Sequence, residues 1–115
     1  MNIEEFREYC MAKKGVTEEL PFGPETLVFK VMGKIFALTS LDTEEFRISL
    51  KNSPDKNIEL RAEYDFIVGG YHLNKTHWNT VYIKSGVKEK LLHELIDDSY
   101  EIVVRSLPKK TQSEL

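Results

Sequence analysis

Thr26-Leu27-Val28-Phe29-Lys30-Val31-Met32-Gly33-Lys34-Ile35-Phe36-Ala37-Leu38-Thr39-Ser40 is the stretch whose reading decides the fold. Two runs rich in β-branched, aliphatic and aromatic residues flank a Met-Gly pair. Such residues suit the pleated, half-buried surface of a strand. A two-residue connection joins antiparallel neighbours, and Gly in its second place suits the left-handed backbone of a tight hairpin turn. The stretch therefore predicts Thr26–Val31 paired with Lys34–Ser40. Arg47-Ile48-Ser49-Leu50-Lys51 alternates polar and apolar positions and reads as a third strand, reached through an acidic loop with Asp42, Glu44 and Glu45. Short connections between the three imply an antiparallel sheet. Lys30, Lys34 and Lys51 stand at or near strand ends, where lysine discourages edge-to-edge aggregation.

Helical spacing appears on both sides of this block. Asn2 is an N-cap, with Glu5 three residues on as in a capping box. Ile3, Phe6, Cys10 and Met11 form an apolar stripe, predicting a helix from about Ile3 to Lys14 with Gly15 at its C-terminal turn. Pro21-Phe22-Gly23-Pro24 is a turn-rich loop. Ser53-Pro54 opens a second helix, with a weak stripe of Ile58, Leu60 and Ala62, ending near Tyr64. Phe66-Ile67-Val68 then leads into Gly69–Thr80, a loop that holds His72, His77, the only tryptophan and the only Gly-Gly pair. Its glycines are expected to supply a turn with positive φ. Trp78–Lys84 alternates as a strand. After Ser85-Gly86, a long apolar face runs from Val87 to Leu107. Asp97-Asp98-Ser99 interrupts it with good caps and poor mid-helix residues, predicting two helices or a bend. Pro108 ends the pattern, and residues 109–115 are expected to fray. The expectation is one domain, 1–108, of the α+β class. It is a two-layer sandwich, an antiparallel sheet with helices packed on one face. The other sheet face and the Gly69–Thr80 loop are left to solvent or a partner.

Composition narrows the function. With 41% apolar and 30% charged residues the chain is an ordinary globular sequence rather than a disordered one. No apolar run reaches the roughly 18 residues of a membrane span. The acidic, amphipathic start does not read as a secretory leader, and a single cysteine forbids an internal disulfide, so the cytoplasm is expected. Net charge is −3, but residues 26–51 and 67–90 together carry +4 and the remainder −7. A local basic face on an acidic protein is therefore allowed.

No enzyme chemistry is legible. Cys10 lies on an apolar stripe and reads as a small buried hydrophobe. His72, His77, Ser85 and Ser99 are not grouped as a nucleophile with its base. C-x-x-C and H-E-x-x-H spacings are absent, so no metal is expected, and Gly69-Gly70 lacks a P-loop continuation, so no cofactor is expected either. Trp78 reads first as a core anchor and second as a binding platform.

Five blocks resemble the MmcQ/YjbR family: Pro21-Phe22-Gly23; Val31-x-Gly33-Lys34-Ile35-Phe36-Ala37; Leu50-Lys51; Gly70-Tyr71-His72-Leu73-Asn74-Lys75-x-His77-Trp78-Asn79-Thr80-Val81; and Leu95-Ile96-x-x-Ser99-Tyr100. They cover nearly the whole chain, and the fourth is the most specific. The resemblance implies a CyaY-like fold and a DNA-binding protein with a so-called double-wing motif. It supplies no catalytic residues. The expectation that follows is a monomeric, weak and salt-sensitive DNA-binding protein. Lys30, Lys34, Lys51 and Lys75 would meet phosphates. Asn74, His77 and Asn79 would donate to phosphates or base edges, beside Tyr71, His72 and Trp78. Arginine is scarce, which argues against rich base readout. The alternative is a module for a partner protein or a small anionic ligand, the ligand being favoured if the loop closes a concave pocket.

Overall fold

A computed structural model covering residues 1–115 shows six strands and four helices. Helix α1 (Ile3–Met11) opens on the expected capping box: the Glu5 amide donates to Asn2 Oδ1 at 2.9 Å, and the Asn2 amide to Glu5 Oε1 at 3.0 Å. It ends at Met11, earlier than the spacing predicts, and Gly15 turns the chain with φ 74°. Strand β1 (Val16–Glu19) follows, where the sequence carries no strand signal. One valine and two glutamates form a strand here because β1 is an edge, held by its register with β2.

β2 (Thr26–Val31) and β3 (Lys34–Ser40) make the predicted hairpin, with φ 48° at Met32 and 87° at Gly33. Positive φ at both central residues is the turn whose twist matches that of the strands. β4 (Arg47–Lys51), α2 (Pro54–Glu63), β5 (Ile67–Gly69), β6 (Trp78–Tyr82), α3 (Glu89–Ser106) and α4 (Lys109–Gln112) complete the chain. The sheet order is β1-β2-β3-β4-β6-β5, and every pairing is antiparallel.

The strand registers sort the side chains into two faces. Leu27, Phe29 and Val31 of β2, Ile48 and Leu50 of β4, Ile67 of β5 and Val81 of β6 share one core with Phe6 and Cys10 of α1, Leu60 of α2, and Leu92, Leu95, Ile96 and Val103 of α3. The helices therefore cover one face only, the expected two-layer α+β arrangement. The opposite face presents Lys30 and Val28 of β2, Leu38 of β3, Arg47, Ser49 and Lys51 of β4, and Trp78 and Thr80 of β6. No helix is long and apolar enough to cross a membrane.

Four local expectations need correction. α3 runs unbroken through Asp97-Asp98-Ser99 over 18 residues. Tertiary bonds outweigh the poor propensity there. Asp97 accepts from Tyr9 Oη at 2.8 Å and pairs with Lys13, while Ser99, fully buried, joins the sheet. In α2 the buried pair is Asn57 and Leu60, three apart on one helical face, while Ile58 is exposed. β6 stops at Tyr82, two residues before Lys84. The tail expected to fray instead makes the single turn of α4, where Gln112 Nε2 donates to the Leu107 carbonyl at 2.8 Å and Leu115 packs against the core.

Candidate functional site

The loop between β5 and β6 is built in two halves. In the second half Asn74 Oδ1 accepts from the amides of Thr76 (2.9 Å) and His77 (3.3 Å), and the Asn74 carbonyl accepts from Trp78 N–H at 2.9 Å. Asparagine closes such a turn because its side chain reaches backbone two residues on. Helix α2 takes up the remaining carbonyls. Asn57 Nδ2 donates to Thr76 O (3.1 Å) and Asn52 O (3.2 Å), and Arg61 Nη1 donates to Lys75 O (2.8 Å) and Asn79 Oδ1 (3.0 Å). Asn79 Nδ2 returns a bond to Asn57 O at 3.2 Å. This half of the loop is thus bolted to α2.

The first half crosses the open sheet face. Neither Gly69 nor Gly70 has the positive φ expected of it; that conformation falls on His72, at 59°. Gly70 is needed for space instead: a Cβ there would lie 2.8 Å from Trp78 Cβ and 3.1 Å from the Trp78 carbonyl. Lys75 Nζ donates to Gly70 O at 2.9 Å, and the Tyr71 amide donates to Thr80 Oγ1 at 2.9 Å. Tyr71, His72 and Leu73 are thereby strapped over β3 and β4. Beneath the strap lies a cleft of about 360 Å³, lined also by Phe22, Thr26, Leu38, Thr39, Ser40, Arg47 and Ser49. The Arg47 guanidinium lies 4.5 Å from the centre of the Tyr71 ring, a cation–π contact.

Of the residues expected to bind, only Tyr71 and His72 line this cleft. Asn74, Lys75 and Asn79 make the structural bonds just described. Lys30 Nζ pairs with Glu19 at 3.1 Å on the neighbouring edge strand. Lys34 is exposed beside the hairpin turn, and the half-buried Lys51 stands opposite the half-buried Trp78 on the open face. The His77 side chain is exposed, although its backbone carbonyl accepts from Asn52 N–H at 3.1 Å. Trp78 is thus on the open face rather than in the core. Cys10 is buried in the helical layer, where burial above all pushes its thiol up to about 12. The cleft residues missed from the sequence are Phe22, Thr26, Leu38, Thr39, Ser40, Arg47, Ser49 and Leu73. The alternation of Arg47 and Ser49 with Ile48 and Leu50 was the available signal that the first pair faces away from the core.

These features define a class: an open antiparallel sheet, helices behind it, and a loop-strapped cleft in front. The family model described as YjbR matches residues 11–102, and the chain belongs to the YjbR family. It is 46% identical over 92 residues to the Escherichia coli O157:H7 uncharacterized protein YbdF, covering 80% of this chain and 75% of that one. It is 33% identical over 110 residues to the uncharacterized protein YjbR of Escherichia coli K12, covering 96% and 93%. The crystal structure of Deinococcus radiodurans protein DR2400, with a DUF419 domain, is similar at a TM-score of 0.91 and 38% identity, over 98% of this chain and 86% of that one. A Pseudomonas syringae protein of known crystal structure is similar at a TM-score of 0.77 and 29% identity, over 89% and 98%.

Proposed function

We propose that the protein is a non-catalytic binding module that holds a small molecule between the Tyr71–Leu73 strap and the open sheet face. The observation that carries this reading is the cleft itself, about 360 Å³, where Phe22, Leu38, Tyr71 and Leu73 meet polar side chains from β2, β3, β4 and the strap. Small-molecule sites have that size and composition. The one hydrogen bond recorded for the lining Ser49 side chain is to the hydroxyl of Thr80, not to a base, which favours binding over nucleophilic chemistry. DNA binding draws less support. Lys75 and Asn79 are bonded to the loop and α2, Asn74 Oδ1 closes the turn, and Lys30 is paired with Glu19. A polyanion needs uncommitted bases gathered on one surface.

The test is a fragment screen read by amide chemical shifts of the labelled protein. It is set beside a fluorescence-anisotropy titration with short duplex DNA from low to physiological salt. Fragments should move the amides of Leu38, Ser49, Tyr71 and Leu73 together, and duplex should leave them in place. The DNA reading predicts instead a slope of about −2.7 in log affinity against log salt, for three phosphates neutralised. Such a slope, abolished by Lys51→Glu and Lys75→Glu, with no fragment binding in the cleft, would overturn the proposal.

A further inference from the structure

We infer that the ligand of this cleft is a small monocarboxylate with an apolar body, its carboxylate held by Arg47 and Ser49. The inference rests on the small-molecule reading above and adds the chemical class. Arg47 is the only charged residue in the lining, which contains no aspartate or glutamate. The four ion pairs of the chain involve Arg7, Lys13 and Lys30, and the Arg47 side chain makes no hydrogen bond. Arg47 is half-buried and its guanidinium carbon lies 4.5 Å from the centre of the Tyr71 ring, with its fork of N–H donors unspent. That fork matches a carboxylate with two parallel hydrogen bonds.

Ser49 supplies a second donor by a proton count. Thr80 is fully buried, and its Oγ1 accepts from the Tyr71 amide at 2.9 Å and lies 2.9 Å from Ser49 Oγ. Either hydroxyl could donate across that pair, and the assignment that leaves the buried Thr80 proton a partner has Thr80 donating to Ser49 Oγ. Ser49 is then the acceptor of that bond, and its own O–H is free to donate into the cleft. Backbone amide, Thr80 and Ser49 form a chain whose bonds polarise one another toward the ligand. His72, in the left-handed region at φ 59°, sits in the strap over the same space. Strain of that kind persists where surrounding structure enforces it and is concentrated at ligand clamps.

One guanidinium balances one negative charge, which favours a monoanion over a phosphate dianion. Phe22, Leu38 and Leu73 give the wall an apolar part, beside the polar Thr26, Thr39, Ser40 and His72. At the roughly 30 Å³ per water of the liquid, the cleft has room for about a dozen non-hydrogen atoms. An aryl- or alkyl-carboxylic acid of that size fits charge, donors and volume together.

The experiment titrates the full chain with 3-phenylpropanoate, its primary amide and 2-phenylethyl phosphate. It is followed by amide chemical shifts and calorimetry, and repeated with Arg47→Met and Arg47→Lys. The acid should bind roughly tenfold or more tighter than the amide, since it gains charge-assisted bonds the amide lacks. Arg47→Met should erase that preference, and Arg47→Lys should restore part of it. Amide binding as tight as acid, phosphate binding tighter than either, or a preference indifferent to Arg47 would overturn the carboxylate class while leaving the cleft occupied. Absence of any shift in the cleft with all three probes, at millimolar concentration, would overturn the class and the small-molecule reading together. The acid–amide comparison on the unsubstituted protein decides the matter even if Arg47→Met does not fold.

Discussion

Ser99 shows how much one hydroxyl can carry. The β3–β4 register ends at Ala37 opposite Leu50, so the next residues on each strand, Phe36 and Lys51, need other partners. Ser99 reaches up from α3 between them, donating to Phe36 O at 2.6 Å and accepting from Lys51 N–H at 2.8 Å. A hydroxyl can do both at once, and a buried strand end must satisfy its backbone groups. Ser99→Ala should therefore cost about 1–3 kcal/mol, the penalty for leaving buried polar groups unpaired. Urea denaturation measures it, and a loss below about 0.5 kcal/mol, the scale of an ordinary surface change, would mean that other groups replace the hydroxyl. In the sequence Ser99 is legible as a residue ill-suited to a helix interior and as part of a family block, but not as a bond to the sheet. Its value to the sheet depends on Phe36, which is 63 residues away.

At the scale of elements, β1 and α1 are joined by a two-pronged ion pair. Arg7 Nε and Nη2 each lie 2.8 Å from a Glu18 carboxylate oxygen. Hydrogen bonding from Arg7 is the largest influence on the Glu18 carboxyl and holds it below the usual carboxylate range. A carboxyl whose pKa is lower in the folded chain stabilises the fold fully above its unfolded value, about 4.3 for glutamate. That contribution disappears as pH falls through the lowered folded value. The urea midpoint should thus fall as pH drops below about 4.3, and the fall should be shallower in Glu18→Gln. Identical acid limbs for the two proteins would remove Glu18 from the account. The sequence shows why α1 and the β2–β3 hairpin form, because capping box, apolar stripe and Met-Gly turn are all local signals. It does not show β1, a strand with almost no apolar pattern of its own. Its glutamates are placed there by Arg7 on the helix and Lys30 on the neighbouring strand.

For the molecule as a whole, stability rests on the single layer between sheet and helices. Leu95 is 5% exposed and faces β4 and β6 beside a small void lined by Leu50, Asn57 and Ile67. Leu95→Ala enlarges that void and should cost about 2–5 kcal/mol in denaturant unfolding, as for other buried leucines. A loss under about 1 kcal/mol would put Leu95 outside the cooperative core. Period-2 strands and 3.6-residue stripes are properties of a chain read locally, and by themselves they determined the α+β class, the hairpin and the helical face, while the family resemblance rested on particular residue blocks. The same periodicity marked which residues of β4 turn away from the core. Only the tertiary structure decided what that outward face becomes. Gly70 packed on Trp78 and the Tyr71 amide on Thr80 hold the Tyr71–Leu73 strap within its own segment, and that strap lands on Arg47 and Ser49 of β4, a strand distant in sequence. Lys75, Asn74 and Asn79, which look uncommitted in the sequence, are drawn into hydrogen bonds of the loop and α2 by the same folding. A charge's availability depends on its neighbours in space, and local pattern carries no record of them.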